Sequence, residues 1–399
     1  MNNGNGLRKY KHSNLPWIDW RDESRRNELF MRWLQWRVKY ADLDLYPLNN
    51  AFRDATGDRS PTGLPMTKEQ QYWGALLFGS TYMPEMTWIA YWHFPDFWEI
   101  DPAKLQKWNV DNLHRQMYAK DAKYNKGRIA VMVEDIHKKV KPYGTLENFF
   151  TRLVDEDEHA SCLRILEEVQ KFYKYGRMTS WLTAQYLWET CGLPIRPKTL
   201  LATDSSSWSV RSGIGFLVND PEFIGQGRMT PEVLKRVAIA EDKLIEEAQD
   251  WILPENRAIW SNFLLESQCC QYKKLIMGGD YVGHSTGDHL GKVKKLEVAW
   301  PEVNFGEYHE KVIPQLHPLL RRGYECRALR YLCSETGQLI NAHEDWPEVP
   351  DLWKEIECEL SDLETEEGLG KITKNVSLYI REHKENVSPD MDVLSMFQP

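Results

Sequence analysis

The chain has 399 residues, enough for one large domain or two ordinary ones, and a formal net charge of −9. Its charged (27%) and hydrophobic (42%) fractions are typical of a soluble globular protein, and no run of 18 apolar residues predicts a membrane-spanning helix. The seven cysteines form no CxxC pair and the N-terminus has no apolar core, which disfavours a disulfide scaffold, a cysteine zinc site and a signal peptide.

The negative charge is concentrated in the last part of the chain. Residues 341–399 hold fifteen acidic and five basic side chains, a net of −10, so residues 1–340 sum to +1. The overall charge therefore does not exclude a nucleic-acid partner. We predict a flexible basic N-terminal tail over 1–20, a helical domain over 21–340 and an acidic C-terminal helical segment over 341–399.

Helical periodicity dominates the chain, and strand signals are few. Helices are predicted at 22–43, 67–79, 84–98, 101–120, 128–139, 146–154, 160–174, 178–191, 230–252, 256–277 and 310–332. Only 199–203 and 215–218 look extended, and 44–66 has the composition of a long loop. The sequence thus predicts a mostly α protein, a multi-helical single large domain with few short strands.

Several well-known catalytic motifs are missing from the sequence. It contains no GxxxxGK[ST], GxGxxG, HExxH, zinc-deaminase or GxSxG pattern. These absences disfavour P-loop kinases, Rossmann oxidoreductases, zinc peptidases, zinc deaminases and serine hydrolases. The sequence predicts no cofactor and no metal cluster.

A basic stretch with interleaved aromatic residues covers 101–141. It holds ten Lys/Arg and five acidic residues, a net of +5, which suits contact with a phosphate backbone and a stacked base. Within it, Asp121, Tyr124 and Lys126 belong to a DAKYNKG turn where a glycine lets the backbone approach a phosphate. The alternatives are a solvated helix face with core aromatics and an ordinary exposed turn.

Two further segments combine polar and aromatic side chains. In YGRMTSW (175–181), Gly176 is expected to end one helix and Thr179 or Ser180 to cap the next, with an anion site beside Arg177. The segment DSSSWSVRSG (204–213) is read as a loop that holds a base edge or an amine substrate. The alternatives are a helix corner with a solvated arginine and a serine-rich turn.

A fourth group lies on a predicted helix. Glu266, Cys270, Lys273 and Lys274 share one face, where they are suited to act as base, nucleophile and phosphate ligands. The alternatives are a surface Glu–Lys pair and a buried thiol.

The order and spacing of these segments resemble one phage family. The matching motifs are YWGALLFGSTYM (72–83), FPDFW (94–98), DAKYNKG (121–127), YGRMTSW (175–181), TLLATDSSSWSVRSG (199–213) and LESQCCQYKK…GGDYVGH (265–284). Together they resemble the α-glutamyl/putrescinyl thymine pyrophosphorylases, or amino acid:DNA transferases, which are similar to the helical domain of 5-hydroxymethyluracil DNA kinases. The chain departs from the expected pattern at Ser212, His284 and Asp288, positions that bear on substrate choice.

The resemblance implies a transferase of thymine hypermodification that acts on phage DNA in the cytoplasm of the infected host. A separate kinase phosphorylates 5-hydroxymethyluracil in double-stranded DNA, and the transferase replaces the phosphate or pyrophosphate with an amino acid or polyamine. Such a reaction needs a flipped base, cations for the leaving group and a base for the attacking ammonium.

The candidate residues follow from these needs. Asp204 or Glu266 is the expected base, and Arg177, Arg211, Lys273 and Lys274 are the expected phosphate ligands. Trp181 or Trp208 is expected to stack on the base, with Asp121, Tyr124, Lys126, Ser209 and Tyr281 as further substrate contacts. Cys270 is either a thiolate that adds to C6 of the uracil or a buried helix thiol.

Two other functions remain open at this stage. A helical DNA glycosylase acting on a modified base would create abasic sites, and a non-catalytic DNA-binding module would leave the base unchanged. The sequence lacks a clear helix-hairpin-helix glycine turn followed by a catalytic aspartate, which disfavours the glycosylase.

Overall fold

The computed structural model describes residues 22–39, 46–117, 128–225, 227, 229–251, 260–277, 284–336 and 352–382. The α-helices are α1 Arg26–Lys39, α2 Tyr46–Arg53, α3 Lys68–Thr81, α4 Pro84–His93, α5 Pro102–Asp111, α6 Ile129–Val140, α7 Leu146–Thr151, α8 Glu158–Gln170, α9 Arg177–Glu189, α10 Trp208–Leu217, α11 Pro231–Trp251, α12 Asn262–Ile276, α13 His284–Ala299, α14 Pro318–Arg322, α15 Arg327–Thr336, α16 Leu352–Glu355 and α17 Glu366–Glu382. Within these ranges there is no β-strand, and the predicted multi-helical fold class is confirmed.

Short polar side chains cap several helices. Thr67, at the predicted start of a helix, accepts a hydrogen bond from the backbone N–H of Gln70, whose side chain bonds back to Thr67 and completes a capping box for α3. Asp101 caps α5 and Asp157 caps α8 by accepting from backbone N–H groups of the first helical turn. These local signals fix helix starts because each satisfies backbone donors that the helix itself leaves unpaired.

Four local predictions are wrong. Residues 199–203 form a loop, and 215–217 belong to α10, so neither segment is a strand. The predicted loop over 44–66 contains α2. The predicted helix over 310–332 is broken into short turns and two helices, because Pro314 and Pro318 lack the N–H that a continuous helix needs.

Two close helix contacts bring the middle of the chain together. A Cβ on Gly79 of α3 would lie 2.7 Å from the carbonyl oxygen of Thr179 in α9. A Cβ on Gly213 of α10 would lie 2.5 Å from the carbonyl oxygen of Cys269 in α12. Only glycine permits backbones to approach so closely, and α10 and α12 are thereby held in direct contact.

The buried side chains form two hydrophobic clusters. The larger one includes residues from Leu29 to Leu320, and the smaller one includes residues from Leu319 to Ile380 in α14–α17. The predicted boundaries at 20 and 340 lie outside the described residues and stay predictions. Among the helices that the structure describes, none combines the length and the apolar composition needed to span a membrane.

Candidate active site

Three buried charged side chains hold the loop between α9 and α10, which we define as the 200–207 loop. Arg177 donates to the carbonyl oxygen of Leu200 at 3.0 Å. Glu241 accepts from the backbone N–H of Leu200 and, at 3.2 Å, from that of Ala202. Because the carboxylate accepts two backbone donors, α11 determines the path of the loop.

Arg211 holds the same loop from the other end. Its guanidinium donates to the carbonyl oxygens of Ala202 at 3.3 Å and Asp204 at 3.1 Å. The side chain is only 1% exposed, and burial lowers its pKa from the ordinary value. A guanidinium stays protonated in proteins all the same, so Arg211 acts here as a permanent donor to backbone carbonyls.

Arg177 and Glu266 form a buried ion pair between α9 and α12. Their side chains are 10% and 5% exposed, and Arg177 Nη1 lies 2.7 Å from Glu266 Oε1. The Arg177 guanidinium also lies 5.0 Å from the ring centre of Trp181. The alternative of a solvated arginine at this helix corner is therefore wrong. Gly176 is the N-cap of α9 and Arg177 is its first residue, so the predicted cap at Thr179 or Ser180 is wrong.

Lys273 is the buried amine of the site. Its Nζ lies 3.3 Å from Ser209 Oγ, 3.5 Å from the Ser209 carbonyl oxygen and 5.0 Å from the ring centre of Trp208. Burial is the main cause that lowers the pKa of Lys273 below its ordinary value of 10.5, and the neighbouring Lys274 adds to the effect. Cys270 and Glu266 oppose it.

Cys270 contacts the same serine. Its Sγ is 2.9 Å from Ser209 Oγ, and the side chain is partly exposed. The thiol and the ammonium thus both contact one hydroxyl, and we name these three residues the Lys273–Ser209–Cys270 group. Trp208, which is 40% exposed, borders this group at the first residue of α10.

The structure changes the position of several predicted site residues. The predicted loop over 204–213 ends at Ser207, because α10 begins at Trp208. Asp204 and Lys274 are exposed. Trp181 lies inside α9 at 1% exposure and packs edge-on against Phe263, with ring centres 4.9 Å apart, so it offers no free face to a base. Four candidates, Asp121, Tyr124, Lys126 and Tyr281, lie outside the described residues.

The basic stretch keeps several cations on the surface. Lys104 and Lys107 of α5 and Lys138 of α6 are exposed, and α5 and α6 pack against each other. Arg115 differs, because its guanidinium bonds to Glu302 at 2.8 Å and lies over the ring of Trp300. Lys107 also has a partner, because its ammonium lies 2.5 Å from the Asp111 carboxylate. Lys104 and Lys138 are therefore the exposed lysines named here that suit an anionic partner.

Sequence reasoning missed two buried carboxylates. Glu241 interrupts the apolar stripe of α11 formed by Val237, Leu244 and Ala248. An acidic residue in such a stripe could have indicated a buried carboxylate with a specific partner. Glu85 is 0% exposed in the apolar helix α4 and lies 3.0 Å from Nδ1 of His289 in α13. In the part of the chain that the structure describes, no cluster of three His, Cys, Asp or Glu residues is arranged to hold a metal.

Comparison with known proteins assigns the chain to a family. The family described as amino acid:DNA transferase matches residues 66–281, more than half of the chain. This range includes the 200–207 loop, α9, α10 and α12. Neither the curated proteins nor the solved structures contain a match. The chain belongs to the amino acid:DNA transferase family and is a transferase that modifies DNA.

Proposed function

We propose that the protein attaches an amino acid or amine to the C5-methylene of phosphorylated 5-hydroxymethyluracil in phage DNA and releases phosphate or pyrophosphate. The observation that carries this proposal is the buried ammonium of Lys273 beside Ser209 and the exposed ring of Trp208. A cation, a hydroxyl and an aromatic face at one place suit a phosphorylated base.

Departure of the phosphate requires positive charge next to its oxygens. Lys273 and the adjacent, exposed Lys274 supply this charge from the same helix. Arg177 and Arg211 already donate to backbone carbonyls, and Arg177 also pairs with Glu266. We therefore assign the two arginines to positioning of the loop, and the two lysines to the phosphate.

The attacking amine must lose a proton, because free amines are mostly protonated near pH 7. Asp204 is exposed on the 200–207 loop, and Arg211 binds its backbone carbonyl, so its carboxylate is free to act as the proton acceptor. Glu266 is less suited, because its carboxylate accepts from Arg177 in a buried pair. We assign Glu266 to positioning.

The base must leave the duplex before its C5 substituent reaches the site. The exposed ring of Trp208 is suited to stack on it, and the lysines of α5 and α6 are suited to the DNA backbone. The proposed substrate already carries its phosphate, so a separate base kinase acts upstream in this proposal; the lack of a P-loop in the sequence agrees with that order. The proposed setting is the cytoplasm of the infected host.

The test is transfer of amines to defined DNA. The purified protein is incubated with DNA that carries 5-phosphomethyluracil or its pyrophosphate, together with single amino acids or polyamines, and the nucleosides are analysed by mass spectrometry. We expect an amine adduct on the C5-methylene and release of one equivalent of phosphate or pyrophosphate.

One control substrate makes the result specific. DNA with unphosphorylated 5-hydroxymethyluracil should give no adduct, because hydroxide is a poor leaving group. Formation of abasic sites instead of adducts would identify a glycosylase. An unchanged nucleoside with every amine and both phosphorylated substrates would refute the proposed function.

A further inference from the structure

We infer that Cys270 is a covalent nucleophile that adds to C6 of the target pyrimidine during the transfer. This inference deepens the proposed function and rests on it. Cys270 is a thiol next to the charged side chains of the site, and the inference gives it a chemical step of its own.

The geometry of the Lys273–Ser209–Cys270 group carries the inference. C6 is bonded to C5, which bears the phosphorylated methylene, so the nucleophile for C6 and the cation for the phosphate must be close neighbours. Sγ of Cys270 lies 2.9 Å from Ser209 Oγ, and Nζ of Lys273 lies 3.3 Å from the same oxygen. Both groups therefore contact the same hydroxyl oxygen.

The adjacent cysteine shows that this arrangement is specific to one position. Cys269 is fully buried, its carbonyl meets Gly213 at the contact between α10 and α12, and burial raises the pKa of its thiol well above the ordinary value. Cys270 points to the partly exposed side, where a cation lies nearby. Cys270 is therefore accessible to a substrate at this place, whereas Cys269 is not.

The chemistry balances without an oxidant or a metal. The Cys270 proton leaves through the Ser209 hydroxyl to solvent, and the thiolate forms a bond to C6. The electron pair of the C5–C6 double bond becomes an enolate, which then expels phosphate from the methylene and leaves an exocyclic C5 methylene. The amine adds to that methylene, loses one proton to Asp204, and the returning enolate expels the thiolate from C6.

In this route the thiol and the lysine act on adjacent atoms of one substrate, so they must lie close to each other. Lys273 neutralises the phosphate at the moment when the enolate expels it. Ser209 contacts the thiol and is suited to pass its proton to solvent.

The experiment traps the covalent intermediate. Full-length protein is mixed with 5-phosphomethyluracil DNA without amine, denatured, and examined by gel electrophoresis and peptide mass spectrometry. We expect a protein–DNA adduct on the peptide that contains Cys270, and a transfer rate for Cys270→Ala at least ~1000-fold below wild type. Cys269→Ala, which removes the neighbouring thiol, should keep both the adduct and most of the rate.

A second measurement reports on C6 itself. Deuterium at C6 should make the wild-type reaction slightly faster, because C6 becomes tetrahedral when sulfur adds. If Cys270→Ala transfers the amine as fast as active wild type, the role of Cys270 is refuted and the proposed function still stands. Failure of wild type to modify any phosphorylated DNA would instead overturn the proposed function and this inference with it.

Discussion

Two neighbouring sets of charged side chains differ in what they contact. Arg177, Glu241, Arg211 and Glu266 are buried and bind backbone groups or each other. Lys273 is equally buried, but its ammonium contacts a serine, and the partly exposed Cys270 and Trp208 lie beside it. Burial alone therefore does not define a catalytic charge. The arginines and glutamates are held by opposite charges or by backbone hydrogen bonds, whereas the shortest contact of the Lys273 ammonium is the Ser209 hydroxyl at 3.3 Å.

The largest effect is expected from breaking the buried ion pair. Glu266→Ala leaves Arg177 charged and without its carboxylate partner in a buried place, which should lower the free energy of unfolding by about 3–5 kcal/mol. Urea denaturation measures this loss. The double variant Arg177→Met/Glu266→Leu should recover much of it, because no unpaired charge remains. Equal loss in the single and double variants would contradict a structural role for the pair.

The next effect concerns catalysis. Lys273→Ala removes the ammonium beside Ser209 and should lower the transfer rate on phosphorylated DNA by about 10²–10³-fold, as expected for loss of one group that stabilises developing charge. Lys235→Ala, which removes an exposed lysine of α11, is the matched control and should transfer at the wild-type rate. A Lys273→Ala enzyme with full activity would place phosphate neutralisation elsewhere.

A smaller effect is expected from the carboxylate that holds the 200–207 loop. Glu241→Gln keeps the shape of the side chain, but its amide has one acceptor oxygen for the two backbone donors of Leu200 and Ala202. One buried N–H loses its partner, which should destabilise the protein by about 1–3 kcal/mol. The exposed Glu246→Gln on the same helix serves as control in thermal denaturation. No difference between the two variants would show that the loop does not depend on Glu241.

The smallest effect is expected in the pH dependence of folding stability, which distinguishes Lys273 from the charges that position the loop. Burial lowers the pKa of Lys273 in the folded protein, so the unfolded chain binds more protons between that lowered pKa and 10.5. The buried ammonium therefore destabilises wild type at neutral pH, and its stability relative to Lys273→Met should rise as pH increases through this window. Melting temperatures of both proteins measured across that pH range test the trend. A constant difference would show that the buried amine does not titrate there.

Local sequence signals predicted most helices but not the breaks between them. Thr67 and Asp101 cap helices by accepting hydrogen bonds from backbone N–H groups two or three residues further along the chain. Such a cap depends only on neighbouring residues, so the sequence can predict it. The serines before Trp208 favour a loop over the whole segment. A helix nevertheless begins at Trp208, and its Gly213 packs closely on α12, a contact that the local sequence does not reveal. The amino acid:DNA transferase family was recognised from the order of the motifs, which is also a property of the sequence.

The candidate site was predicted in part for the same reason. Lys273, Ser209 and Trp208 were named from chemically rich segments, and the structure brings them together. The prediction that Trp181 stacks on the base is wrong. Its place next to a glycine turn favoured exposure, but Phe263 of α12 covers the ring, and the sequence does not reveal that contact. Glu241 was missed, because its backbone partners are about forty residues away in the chain.

Helical periodicity specifies the helical class of this protein, and the order of its motifs specifies the transferase family and the residue types available for phosphate and base. Which charges are already occupied depends on how the helices pack. The structure pairs Arg177 with Glu266, commits Glu241 and Arg211 to the loop backbone, and brings Lys273 and Cys270 to the hydroxyl of Ser209. A charge removed from water must find a partner, and most of the partners here are far away in the sequence.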